Sequence, residues 1–234
     1  MTGISIVTYA FHMVHILSGQ SRPKMWMLNM SRTYAIAAGA VVVALLGGTF
    51  AATQFGQSDD IFAQCRASQS AGGAIGGPFE LVDENGETVT NEDIITGPTL
   101  IYFGYTFCPD VCPLDNMRNA QAIEILDEQG VEVTPVFISI DPERDTVDVV
   151  REFTENFHER MIGLTGSPEQ VRATSQAYRT YYAKQDSDDE YYLVDHTTMS
   201  YLVFPDQGFQ EFYRRDVTPE QMAESLSCFV EAAS

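Results

Sequence analysis

From Gly76 onward, short apolar runs alternate with longer runs of helical spacing. The run Thr99–Gly104 and the run 133–140 have the length and composition of buried strands. Helical spacing follows each of them, over 113–129 and over 146–157. This alternation predicts an α/β domain in which helices cover both faces of a central sheet.

Antiparallel hairpins are predicted at both ends of this region. Runs 79–82 and 87–89 flank a turn of Asp-Glu-Asn-Gly, and runs 199–204 and 209–213 flank the turn 205–208. Ser-Pro-Glu begins a further helix over 167–182, and Thr-Pro-Glu begins a last helix at residue 218, each with an N-cap residue and a proline at the first helical position. The resulting order predicts a thioredoxin-like α/β fold.

An uncharged stretch lies near the N terminus, between Thr33 and Ser58. Its segment 34–53 is almost entirely apolar or small, which predicts a transmembrane helix of about 20 residues. Three cations precede this stretch and every carboxylate follows it, so the positive-inside tendency places the N terminus in the cytoplasm. A cleaved signal peptide is the alternative, because the stretch is rich in Ala and Gly.

These patterns divide the chain into four parts. Residues 1–33 form an N-terminal cytoplasmic segment, although the run Met30-Ser31-Arg32 directly precedes the uncharged stretch and we hypothesise that translation begins at Met30. Residues 34–53 form the anchor, and residues 54–75, rich in Gly, Ser and Gln, form a tether. Residues 76–234 form the working domain, outside the cytoplasm.

The formal net charge is −20, and after residue 58 ten basic residues face all 33 acidic ones. Such an acidic surface excludes nucleic acid as a partner, since nucleic-acid binding depends on neutralising phosphates with Lys and Arg. The charge indicates a solvated surface that keeps the domain soluble; steering of a basic partner or a cation is the alternative, and the charge by itself predicts no function.

Candidate chemistry lies in the run from Phe103 to Pro113, which contains Cys108 and Cys112. The run leaves a predicted buried strand and enters a helix, with Pro113 at the predicted first helical position and Cys112 near the N-cap. Free backbone N–H groups and the helix dipole favour thiolates there, and two thiolates select Cu(I) or zinc. A plain Cys108–Cys112 disulfide is the alternative.

A third ligand is expected from His196, in a loop before the strand 199–204. His12 and His15 precede the predicted anchor, and His158 ends a helix among acidic residues. The loop of His196 can reach the carboxyl end of the first buried strand, where ligands bind in open α/β sheets. A purely structural role for a lone loop histidine is the alternative.

The runs YFGYTFCPDVCP and YLVDHTTMSYLVFP resemble the Sco/SenC family of copper-binding assembly factors, with likeness over about residues 76–232. The resemblance implies a thioredoxin-like fold and one copper ion, Cu(I) or Cu(II), bound by Cys108, Cys112 and His196. It also implies delivery of copper to the CuA centre of cytochrome c oxidase subunit II, or reduction of the cysteines of that centre. Phe107 departs from the family, which often has histidine there, so the redox behaviour is open.

Four other residues each allow a functional interpretation and a plainer alternative. Asp195 resembles the family's Asp-His pair and could orient the imidazole, or it could cap local backbone. Asp110 could tune the thiolates or accept hydrogen bonds in its turn. Cys65 and Cys228 are predicted to form a disulfide, because the setting is extracytoplasmic and the cysteine count is even; two unrelated thiols are the alternative.

Two function classes follow. The first is a copper chaperone, which transfers metal by ligand exchange and is not an enzyme in the usual sense; its partners are oxidase subunit II and an upstream copper donor. The second is a membrane-anchored thiol-disulfide oxidoreductase, which needs the cysteines but not His196. The expected location is a bacterial inner membrane with the domain facing the periplasm, the mitochondrial inner membrane being the alternative.

Overall fold

The computed structural model describes residues 26–55, 60–66, 75–186 and 191–234. It divides the chain into two compact units, the first ending at Asp59 and the second beginning at Asp60. Most of the predicted cytoplasmic segment 1–33 lies outside the described residues. The translation start hypothesised at Met30 stays a prediction.

In the first unit, the described residues form one helix, α1 (Trp26–Phe55). Its described side chains, at 34–49, are all exposed. Within the described part of the chain, no helix has both the length and the apolar character that crossing a membrane requires. The transmembrane helix predicted at 34–53 is therefore not confirmed.

The second unit alternates strands and helices. In chain order the elements are β1 (Glu80–Asp83), β2 (Thr88–Thr90), α2 (Asn91–Ile94), β3 (Thr99–Gly104), α3 (Val111–Glu128), β4 (Thr134–Ser139), α4 (Val147–Thr154), β5 (Ile162–Thr165), α5 (Pro168–Ala177), β6 (Tyr182–Lys184), β7 (Val194–His196), β8 (Ser200–Phe204), β9 (Gly208–Tyr213) and α6 (Pro219–Ala233).

The central sheet has the strand order β2-β1-β5-β4-β3-β8-β9. Strands β3, β4 and β5 are parallel neighbours, whereas β8 is antiparallel to β3 and forms a hairpin with β9. A separate two-stranded sheet pairs β6 with β7. Both predicted hairpins and both predicted buried strands are confirmed, while β5, β6 and β7 are too short for their periodicity to be read from the sequence.

The helix predicted over 167–182 is shorter than expected. Ser167 caps α5 as predicted, its hydroxyl accepting a hydrogen bond from the backbone N–H of Gln170. The helix ends at Ala177, and Arg179 then adopts a φ of 53°, in the left-handed region. That conformation turns the chain into β6, so residues beyond Ala177 leave the helix.

Hydrophobic residues form two clusters on the two faces of the sheet. Leu100 packs with Ile123 of α3 and Leu226 of α6 in one cluster. The neighbouring Ile101 belongs to the other, which includes Val150 of α4. Because successive side chains of a strand point to opposite faces, this division shows helices on both sides of the sheet, as predicted.

A segment before Gly76 also packs onto the domain. Phe62 is buried against the rings of Phe204 and Phe229. Cys65 forms a disulfide with Cys228 of α6, as the sequence predicts. The compact unit therefore begins at Asp60 instead of Gly76, because the apolar Phe62 ring and the disulfide hold residues 60–66 of the predicted tether 54–75 on the domain.

Candidate metal centre

Strand β3 ends at Gly104, next to the buried thiol of Cys112. A Cβ atom added at Gly104 would lie 3.0 Å from Sγ of Cys112 and 2.8 Å from the ring of Tyr102. Both neighbours are buried, with Cys112 completely inaccessible to solvent. The absence of a side chain at Gly104 thus lets the thiol of Cys112 approach the end of the strand.

Helix α3 begins at Val111, two residues before the predicted start at Pro113, with Asp110 as its N-cap. Cys112 is therefore the second residue of the helix. The side-chain amide of Asn116 donates a hydrogen bond to the carbonyl of Cys112 at 2.8 Å. These contacts place Cys112 at the positive end of the helix, as the sequence predicts.

The two thiols of the motif are free and adjacent. Sγ of Cys108 accepts a hydrogen bond from the backbone N–H of Cys112 at 3.5 Å. A hydrogen bond from the Cys112 thiol lowers the pKa of Cys108, and contacts with His196 and the backbone N–H of Asp110 lower it further. The same bond to Cys108, together with burial, raises the pKa of Cys112. Cys108 is therefore the more acidic of the two thiols in the metal-free protein.

His196 completes the cluster from β7. Its Nε2 lies 3.3 Å from Sγ of Cys112. Its Nδ1 lies 2.9 Å from the carbonyl oxygen of Thr197, so Nδ1 carries the proton and donates it. The rings of Tyr102 and Tyr105 meet the imidazole edge-on, at centroid distances of 6.3 Å and 5.8 Å. Nε2 is therefore the ring nitrogen that faces the thiols.

Together, one ligand atom each from Cys108, Cys112 and His196 lies within 4.8 Å of the other two. Ligands bonded to one soft metal at about 2.0–2.3 Å are separated by at most roughly 4.6 Å. Small side-chain shifts would therefore close the three atoms around a metal ion. Two thiolates and an imidazole suit Cu(I), Cu(II) or zinc, so the donor set fits copper.

The interpretation of Asp195 as the partner of the imidazole is wrong. Asp195 and His196 are neighbours in β7, so their side chains point to opposite faces. The carboxylate of Asp195 accepts a hydrogen bond from the side-chain amide of Gln185 at 2.7 Å, whereas Thr197 orients His196 through its carbonyl. Asp110 is exposed and reaches Cys108 through its backbone N–H, and a role for its carboxylate stays a prediction.

Sequence reasoning missed a buried carboxylate, Asp145, that holds the loop before Cys108. It accepts hydrogen bonds from the backbone N–H and the hydroxyl of Thr106, at 3.1 Å and 2.6 Å, and from the hydroxyl of Ser139 at 2.6 Å. The hydroxyl of Thr165 donates to its backbone carbonyl at 2.7 Å. Burial raises the pKa of Asp145, while these hydrogen bonds act to lower it. Asp145 thus ties the loop to the ends of β4 and β5.

A second network missed by sequence reasoning lies behind Cys112. The hydroxyl of Tyr102 contacts the thiol and donates a hydrogen bond to Asp115 at 3.0 Å. Asp115 also accepts from Nε of Arg215 at 3.1 Å and is nearly inaccessible. The only sequence signal is a polar residue on the buried face of α3, which by itself does not identify a site.

The comparisons with known proteins agree with this geometry. The SCO1/SenC family profile matches residues 67–231. Protein SenC of Rhodobacter capsulatus is 52% identical over 203 residues, covering 86% of this chain and 92% of its own length. The human protein SCO1 homolog, mitochondrial, is 40% identical over 156 residues, covering 65% of this chain and 52% of its own length. The chain thus spans about half the length of that mitochondrial relative.

Solved structures give the same result. Arabidopsis thaliana ScoI with copper bound is 43% identical, with a TM-score of 0.62, covering 68% of this chain and 98% of that one. Bradyrhizobium japonicum ScoI with copper bound is 38% identical, with a TM-score of 0.61, covering 66% and 98%. These likenesses confirm the thioredoxin-like α/β fold of the domain. The chain belongs to the SCO1/SenC family.

Proposed function

We propose that this protein is a metallochaperone that binds one copper ion through Cys108, Cys112 and His196 and delivers it to the CuA site of cytochrome c oxidase subunit II. The observation that carries the proposal is the approach of three soft or borderline ligand atoms to within 4.8 Å of one another in a member of the SCO1/SenC family. Relatives of this chain have been solved with copper bound.

The geometry favours transfer as well as binding. Three protein ligands leave a coordination position open, so an incoming thiolate can join the metal before any resident ligand leaves. Cys108 retains some exposure while Cys112 has none. Exchange would therefore begin at Cys108, and the domain would not need to unfold to release the ion.

A thiol-disulfide oxidoreductase that reduces the CuA-site cysteines is the second candidate. The lowered pKa of Cys108 favours it, since the thiolate is the attacking form. Cys108 would attack a partner disulfide and form a mixed disulfide, releasing one partner thiolate. Cys112 would then displace the second partner thiolate, leaving a Cys108–Cys112 disulfide and a partner dithiol, a two-electron exchange.

We further propose that the uncharged stretch between Thr33 and Ser58 anchors the protein in a bacterial inner membrane, with the domain in the periplasm. The disulfide between Cys65 and Cys228 supports an oxidising compartment for the domain. The bacterial relative Protein SenC fits this location, as do the mitochondrial relatives, whose membranes are the alternative.

Copper titration of the full-length chain tests the proposal, using wild type beside Cys108→Ala, Cys112→Ala and His196→Ala. We expect one tightly bound copper in wild type. We expect each substitution to weaken binding by more than about 100-fold, since loss of outer-sphere partners alone costs about 10–100-fold in related metal sites. His158→Ala is the matched control, because it also removes an imidazole, but one that contacts Asp127 and is not among the three proposed ligands.

Oxidase maturation separates the two candidates. The chaperone predicts that His196→Ala abolishes assembly of a copper-loaded oxidase together with copper binding. The oxidoreductase predicts that His196→Ala supports maturation while both cysteine variants fail. A wild-type protein that retains no copper but readily exchanges disulfides would refute the chaperone proposal.

A further inference from the structure

Exposed hydrophobic side chains of the second unit are concentrated beside the candidate metal centre. Among the described residues from Asp60 onward, every exposed large hydrophobic residue except Ile61 lies in 107–117 or 181–193, the segments that contain or flank the ligands. We name these six residues the apolar rim: Phe107, Leu114, Met117, Tyr181, Tyr191 and Leu193. Isolated exposed hydrophobic residues are ordinary, but their concentration in one place indicates an interaction surface.

Helix α3 shows the same concentration along its own exposed face. Leu114 and Met117 are 59% and 45% exposed and form an i,i+3 pair in the first two turns, next to Cys112. Farther along, the exposed positions are Gln121, Glu124, Asp127 and Glu128. The solvent face of the helix is therefore apolar near the ligands and polar away from them.

Contacts link Phe107 to the segment that contains Tyr191 and Leu193, and Tyr181 to the segment of His196. The guanidinium of Arg144 lies 5.0 Å from the ring centroid of Phe107 and 3.5 Å from the ring centroid of Tyr192. In the sequence, Tyr192 stands between Tyr191 and Leu193. The backbone N–H of Tyr181 donates to the hydroxyl of Thr197 at 3.0 Å, beside His196. Rim residues thus lie on both segments that contain or flank the ligands.

Burial of the ligands limits how copper could leave. Cys108 is 8% exposed and Cys112 is inaccessible. A partner's thiolate must approach to about 2.3 Å of the metal in order to exchange ligands. A protein acceptor that reaches this distance must bring its own surface against the rim.

Charge defines the acceptor further. Asp110 and Asp195 are exposed carboxylates next to the ligands. The neighbouring cations Lys184 and Arg215 form ion pairs with Glu143 and Asp115. With 33 acidic residues against 13 basic ones in the whole chain, a partner with basic groups around an apolar contact would be attracted.

From these observations we infer that the apolar rim is the docking surface for a copper-acceptor protein that presents thiol ligands within an apolar face bordered by basic groups. This inference rests on the proposed chaperone function and identifies the part of the molecule that recognises the acceptor. The rim contacts would stabilise the encounter complex while copper moves from one set of thiolates to the other.

The test compares copper transfer from the full-length protein to two acceptors, the copper-free soluble CuA domain of oxidase subunit II and glutathione. The variant is Leu114→Ser with Met117→Ser, and the matched control is Gln121→Ser with Glu124→Gln on the same helix face. We expect the double rim variant to load copper normally, to transfer it about tenfold more slowly to the CuA domain, and to transfer it to glutathione at the wild-type rate.

Other results would overturn the inference. Equal slowing with both acceptors would show that Leu114 and Met117 act on the metal site itself, and wild-type transfer to the CuA domain would show that the rim is not the docking surface. A wild-type dimer that the rim variant dissociates would identify a second copy of this chain as the occupant. Absence of copper from wild type would instead refute the proposed function, and the inference would fall with it.

Discussion

Asp145 receives two hydrogen bonds from Thr106, one from the backbone N–H at 3.1 Å and one from the hydroxyl at 2.6 Å. Thr106 precedes Cys108 by two residues, so this completely buried carboxylate holds one end of the ligand loop. Ser139 binds the same carboxylate from the end of β4. The position of Cys108 relative to the sheet therefore depends on a residue that does not itself contact the thiol.

Asp145→Ala should weaken copper binding about tenfold as well as lower the free energy of unfolding. The substitution leaves three donors without their acceptor, and each unpaired buried group costs about 1–3 kcal/mol. Urea unfolding and copper titration of the same preparation measure both effects. Asp127→Ala is the control, because Asp127 binds His158 and Arg160 on a partly exposed surface. Lower stability with wild-type copper affinity would show that Asp145 supports only the fold.

Gly104→Ala should disturb the centre through close packing. The new methyl group would lie 3.0 Å from Sγ of Cys112 and 2.8 Å from the ring of Tyr102, and overpacking of this kind costs about 1–3 kcal/mol. We expect a lower Tm and weaker copper binding, measured by thermal unfolding and titration. Gly97→Ala is the matched control, since nothing lies within 4 Å of its added Cβ. Equal effects of the two substitutions would contradict the packing argument.

The strand, loop and helix around Cys108 and Cys112 could be predicted because each has a local signal: an apolar run, flanking prolines and helical spacing. His196 could be proposed because few histidines were available to the domain. Asp145 could not be found in this way, since it meets Thr106 across 39 residues only after β3 and β4 have paired.

The error at Asp195 has a different cause. Adjacency to His196 in the sequence favoured a contact between the two side chains, but both residues lie in β7, where neighbours alternate between faces. That strand has three residues, too few for its period to be recognised from the sequence. The carbonyl of Thr197, which carries no sequence signal because every residue has one, orients the imidazole instead.

Removal of the disulfide should reduce stability and leave the metal centre intact. Cys65 and Cys228 are 163 residues apart, and loss of a disulfide that closes a long loop costs about 2–5 kcal/mol. We expect the Cys65→Ser, Cys228→Ser double variant to have a lower Tm and wild-type copper affinity. Cys65 packs at the hydrophobic cluster that contains Leu226, whereas Cys108 and Cys112 belong to the other cluster. Copper loss at temperatures where the variant is folded would contradict this separation.

The last prediction concerns the pH dependence of Cys108 in the reduced, metal-free protein. A hydrogen bond from Cys112 lowers the pKa of Cys108, so its thiolate persists as the pH falls below the ordinary thiol pKa of about 8.5. Alkylation by iodoacetamide, followed from pH 5 to 9 and normalised to its plateau, should remain substantial at pH 6. Cys112→Ala should shift the profile to higher pH, because it removes the largest stabilising contact of the thiolate, and His196→Ala should shift it less. A wild-type midpoint near pH 8.5 would show that Cys108 carries a proton at neutral pH, and the oxidoreductase candidate would lose its attacking thiolate.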